Sequence, residues 1–165
     1  MRRKPLPAPP DTLEAISDAR NAVPLVPSPE NDCCARLQDR LGLAARDAAA
    51  TWLDFLRGLG LAEEGPAGFS RVRTDLDRDE LATRFLQSVY GAEEVRSALL
   101  EASNPLPAET VASRTESLVS PWERHRDGSR WREVWETRTR NLLDWLVLFG
   151  IAEETNGGYR ARRTD

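Results

Sequence analysis

Residues 53–75 read LDFLRGLGLAEEGPAGFSRVRTD, and residues 143–165 read LDWLVLFGIAEETNGGYRARRTD. Laid over each other with a shift of 90 residues and no gap, they are identical at 11 of 23 positions: Leu53, Asp54, Leu56, Gly60, Ala62, Glu63, Glu64, Gly68, Arg73, Thr74 and Asp75. Where they differ the shapes often agree, as in Phe55 with Trp145, Leu61 with Ile151 and Phe69 with Tyr159. A match of this length implies a duplicated supersecondary unit. Two copies imply paired domains, because a solenoid needs three or more.

Both copies predict a helix, a glycine stop and a short two-stranded hairpin. At 100° per residue, Ala45, Ala49, Trp52, Phe55, Leu56 and Leu59 fall on one side of the first helix, which should be buried. Gly60 supplies the stop, and LAEE, GPAG and FSRVR then read as strand, turn and strand. The second copy repeats the pattern with Leu142, Trp145, Leu146 and Phe149, then Gly150, IAEE, TNGG and YRAR, where Asn156-Gly157 is the hairpin signal. Upstream, Asp11 and Glu14 have capping-box spacing for a helix from Asp11 to about Arg20, and Asn31 is placed to cap a second helix through Cys34, Leu37 and Leu41. Helices are also expected around Leu81 to Val89, around Val95 to Leu99 and from Ala108 to Val119.

Helix, helix, turn, helix, hairpin is the order of a winged helix-turn-helix. The stretch LGLAARDAAATWLDFLRGLGLAEEGPAGFSRVR resembles the recognition helix and wing of winged-helix regulators, and the duplicated chain resembles a tandem winged helix-turn-helix protein of haloarchaeal type. The likeness covers residues 11–75 well and 108–165 less fully, because WERHRDGSRWREVW stands where a tight helix-turn-helix corner belongs. The fold expected is mainly α with small β-hairpins, an α+β class of two winged-helix-like domains joined by a helical linker. Its divisions are a flexible proline-rich arm over 1–10, a first winged-helix domain over 11–76, a linker over 77–103 and a second domain over 104–165.

Composition excludes several other functions. The chain has 165 residues, 40% of them hydrophobic, and a mean hydropathy of -0.53. Its longest apolar run, near Trp145 to Phe149, is far short of the ~20 residues a membrane helix requires. Prolines follow the basic residues of MRRKPLPAPPD where a secretory signal has an apolar stretch, so a cytoplasmic location is expected. His125 is the single histidine, and Cys33 and Cys34 are adjacent, a poor geometry for a mutual bridge and too few thiolates for a zinc module. No catalytic residues, metal or cofactor are expected. The basic residues are 22 arginines and Lys4, a usage that resembles proteins of high-GC, salt-loving archaea. At a net charge of -4, attraction to nucleic acid must come from a local patch.

The resemblance implies a DNA-binding, transcription-related protein with duplex DNA as partner, reading bases with its third helices and holding phosphates with its wings. Arg46, Thr137, Arg140 and Asn141 are the helix candidates; Arg and Asn side by side suit guanine and adenine. Arg71, Arg73, Arg160 and Arg162 are the wing candidates. Asp47 and Asp54 oppose this reading, since both would repel a DNA backbone. The alternative is a non-enzymatic protein-interaction scaffold or a homodimer, for which Trp131 and Trp135, lying before the repeat begins, are the interface candidates.

Overall fold

Leu59 and Phe149 end their helices in the same way, and the reason is the glycine that follows. In the computed structural model, which describes residues 2–163, Gly60 and Gly150 both have φ of 76°, and Leu61 and Ile151 return their N–H groups to Leu56 and Leu146 at 2.9 Å. A side chain at either glycine would strain this left-handed turn.

The described residues fall into two compact units, 1–90 and 91–165. The first contains α1 (Glu14–Ala22), α2 (Glu30–Leu41), α3 (Arg46–Gly58), the hairpin β1 (Ala62–Gly65) and β2 (Gly68–Arg71), and α4 (Arg78–Ser88). The second contains α5 (Ala92–Glu101), α6 (Ala108–Arg114), α7 (Pro121–Asp127), α8 (Trp131–Leu148) and the hairpin β3 (Ala152–Thr155) and β4 (Gly158–Ala161). The residues expected to form a linker over 77–103 are divided, with α4 packed in the first unit on α3 and α5 packed in the second on α6, α8 and β4.

The duplication extends further upstream than sequence identity shows. Ile16, Ala19, Ala22 and Val23 are buried from α1, and Ala92, Val95, Ala98 and Leu99 are buried from α5 with the same spacing. Cys33, Cys34 and Leu37 of α2 likewise correspond to Val111, Ala112 and Thr115. The vicinal cysteines are therefore core positions, fully enclosed, and burial pushes both thiols above their ordinary value. From α3, Ala49, Trp52, Leu53, Phe55 and Leu56 are buried; from α8, Thr139, Leu142, Leu143, Trp145 and Leu146. Each large side chain enclosed in this way contributes about 1.5–3 kcal/mol. Ala45, expected in this stripe, is exposed because it lies outside the first turn of α3, in extended backbone.

The hairpins have one register: Glu64 faces Phe69 as Glu154 faces Tyr159, and Gly65 faces Gly68 as Thr155 faces Gly158. A third segment joins each hairpin, through Ser28 paired with Phe69 and Leu106 paired with Tyr159. This covers one edge of the wing and accounts for the prolines around it, which keep the segment extended without needing a full ladder.

Several local expectations are corrected. Asp11 does not cap α1, which begins at Glu14 after Leu13 with no side-chain cap, and Asn31 lies within α2, whose cap position is Pro29. The helix of the second copy begins as an α-helix at Trp131, after a 3-10 turn over Gly128–Arg130. The arm over 1–10, expected to be flexible, is held in the first unit. Arg3 pairs with Val89 through hydrogen bonds to Ser88 and from Tyr90, and Pro7 is buried. The last positions of the second repeat, Thr164 and Asp165, lie outside the described residues.

Candidate nucleic-acid interface

On α8, Thr137, Arg140 and Asn141 follow i, i+3, i+4 spacing and so share a face. Thr137 is exposed, with its hydroxyl donating to the Glu133 carbonyl at 3.1 Å. The Arg140 side chain is 49% exposed and lies 3.4 Å from Glu136 and 3.7 Å from Glu109, while Asn141 is half-buried. On α3, Arg46 opens the helix, exposed, and donates to Asn31 Oδ1 at 2.7 Å.

Of the two acids that oppose DNA binding on α3, Asp54 is met from within its unit. Arg3 Nη1 lies 2.5 Å from Asp54 Oδ1, and Arg57 lies 3.6 Å from the same atom. In the second unit the equivalent Asp144 accepts the Tyr159 hydroxyl at 2.7 Å. Burial first, and then this bond to a carboxylate, raises the Tyr159 phenol well above its ordinary value. Neither partner was identified from sequence. The Tyr159 signal was present, since Phe69 in the first copy lacks the hydroxyl, but Arg3 is 51 residues from Asp54 and no local spacing connects them. Asp47 remains exposed.

The wing arginines separate into two arrangements. Arg160 is hydrogen-bonded to Glu153, its partner across the β3–β4 register, and Arg162 lies 3.9 Å from the same carboxylate. Arg71 turns back instead, donating from Nε to the Val23 carbonyl at 2.9 Å and from Nη2 to the Asn21 carbonyl at 2.7 Å. It thereby satisfies carbonyls that the end of α1 leaves without helical partners. Arg73 is exposed, and Arg71, Arg73 and Arg20 line one cleft.

The two tryptophans expected at a partner interface are placed within the second unit. Trp135 is 6% exposed, and its indole N–H is 3.2 Å from both Ala112 O and Thr115 Oγ1, so its own unit covers and satisfies it. Trp131 packs against the cluster of Ala112, Val119 and Trp135, with the guanidinium of Arg124 at 4.0 Å from its ring and that of Arg132 at 4.5 Å. Arg124 also donates to the Glu116 carbonyl at 2.8 Å, fastening α7 to the unit. Trp122 on α7 is the exposed aromatic, at 65%.

Among the described residues no helix is long and apolar enough to cross a membrane, and no group of three or more side chains is arranged to hold a metal. A search of the curated proteins finds no match, and neither does a search of the solved structures. The profile of the halobacterial double winged helix domain matches residues 1–165. With its two helix-and-hairpin units and a match over its whole length, the chain belongs to the halobacterial double winged helix domain family.

Proposed function

We propose that this protein binds duplex DNA in a transcription-related role. Thr137, Arg140 and Asn141 of α8 and Arg46 of α3 address base edges, and Arg71, Arg73, Arg160 and Arg162 address phosphates. The observation that supports this most is the internal neutralisation of Asp54 by Arg3 and Arg57, and the hydrogen bond of Asp144 to Tyr159. Asp47 of α3 stays exposed and would repel a phosphate backbone, so α8 carries the base-reading assignment more strongly than α3. With Asp54 and Asp144 engaged inside their units, the outward face of α8 presents Thr137, Arg140 and Asn141, with Glu136 paired to Arg140.

The test is binding of the full chain to a pool of random duplexes, followed by selection of the preferred sequence. Arg140→Ala with Asn141→Ala is expected to alter the preferred bases, with each lost bidentate contact reducing discrimination by about 1–3 kcal/mol. An unchanged preference would remove these two residues from base reading. The exposed Trp122, and Val134 at 44%, favour a second reading as a protein-interaction scaffold. A scaffold would show little affinity for duplex at any ionic strength, whereas a DNA binder must lose affinity steeply as salt rises.

A further inference from the structure

We propose that the cleft between the end of α1 and the end of β2 in the first wing is an anion site for a phosphate group. The cleft has a volume of about 320 Å³ and is lined by Arg20, Asn21, Leu25, Arg71, Arg73 and Asp75. Three guanidinium groups therefore face one carboxylate. Each guanidinium carries five N–H donors in a rigid fork that matches the oxygens of a phosphate.

Two of the three forks are already fixed. Arg20 donates from Nη2 to the Val72 carbonyl at 2.8 Å, and Arg71 is held by the carbonyls of Val23 and Asn21. These neutral acceptors position the cations without cancelling their charge, and they leave further N–H groups on each fork. A ligand would meet donors whose ordering entropy is already spent. Arg20 Nε is, in addition, a buried donor with no hydrogen-bond partner, an uncommon state for such a group. The nearest carboxylate, Asp75, is 3.7 Å from Arg20 Nη1, and its side chain is fully exposed. Such a solvated pair is weak and readily exchanged for a better anion.

The duplication supplies a contrast. Arg96 holds on α5 the place of Arg20 on α1, one residue after the second buried position, and its Nε is also buried without a partner. Arg163 holds the place of Arg73 and, with Arg160, lines the corresponding cleft of the second unit. There Ala161 replaces Arg71, and the cleft measures about 150 Å³. Arg96 does not line that cleft, so it is the first unit that brings all three cations to one site. A phosphate in this cleft belongs either to a nucleic-acid backbone or to a free phosphorylated small molecule; the chemistry recognised is the same.

The experiment follows the arginine Nε–H resonances of the full chain in ¹H–¹⁵N spectra during titration with inorganic phosphate, against sodium chloride at matched ionic strength. Saturable, phosphate-specific shifts are expected at Arg20 and Arg71, with Arg36 of α2 as an unresponsive control. Arg73→Gln, an exposed change that spares the fold, is expected to weaken phosphate binding about threefold to tenfold. Shifts equal to those in chloride, or unaltered affinity in Arg73→Gln, would overturn the proposal. A short duplex that produces the same shifts and competes with phosphate identifies the backbone as the source, whereas phosphate binding undisturbed by saturating duplex identifies a small molecule. Either result supports the site. The site shares Arg71 and Arg73 with the DNA reading, whose base-reading part is tested separately at Arg140 and Asn141, which lie outside this cleft.

Discussion

At the scale of single residues, buried hydrogen bonds made by a single donor give the sharpest tests. The Trp135 indole N–H serves Ala112 O and Thr115 Oγ1 in the interior of the second unit. Trp135→Phe removes the donor and some volume together, and is expected to cost about 2 kcal/mol in urea unfolding. An effect below about 0.5 kcal/mol would mean that the indole is not seated there. Tyr159 gives a pH test. Its phenol is raised in the folded state, so its contribution to stability is complete below the ordinary value near pH 10 and falls as pH rises from there toward the folded value. The stability difference between wild type and Tyr159→Phe is therefore expected to shrink above pH 10, as measured by denaturant unfolding from pH 8 upward. A constant difference would show that the hydroxyl is not held against Asp144. Arg57 stands three residues from Asp54, a helical spacing, but Arg3 could not be found that way because it reaches Asp54 from a distant part of the chain.

At the scale of elements, each wing turns on a glycine that simple turn rules do not single out. Asn156-Gly157 is the strong hairpin signal in the sequence, yet the positive φ falls one residue later, at Gly158 with 124°, and at Gly68 with 121° in the first wing. A Cβ at Gly158 would lie 2.2 Å from the Leu106 carbonyl oxygen, where the third segment pairs with the hairpin, while one at Gly157 would meet only Pro105 at 3.7 Å. Gly158→Ala is expected to destabilise the protein by at least about 2 kcal/mol, and Gly157→Ala by no more than about 1 kcal/mol, in the same urea assay. The reverse order would refute the strand arrangement. Identity between the copies had marked the demanding position, since Gly68 and Gly158 match and Ala67 and Gly157 do not. The insertion in the second unit was legible as a departure from pattern, and its start was also readable in the sequence Ser120-Pro-Trp-Glu123. That sequence forms a capping box with proline in the first turn of α7.

At the scale of the whole molecule, a net charge of -4 leaves DNA affinity to a few local arginines. If Arg71, Arg73, Arg160 and Arg162 each neutralise one phosphate, the slope of log affinity against log salt is expected near −3.6. A slope near zero would exclude the arrangement. Glu153 holds both Arg160 and Arg162, so Glu153→Gln is expected to raise affinity about threefold by releasing them. The sequence by itself determined that the chain is duplicated, where the helices of each copy bury their apolar faces, and that a two-stranded hairpin follows each third helix. Periodicity and glycine placement act over a few residues, so they can be read without coordinates. Only the tertiary structure decided that α5 serves the second unit as α1 serves the first, that Trp135 is core and that Asp54 and Asp144 are engaged internally. It alone placed Arg20 beside Arg71 and Arg73. These depend on which distant segments meet, and side-chain charge carries no record of its partner's position in the chain.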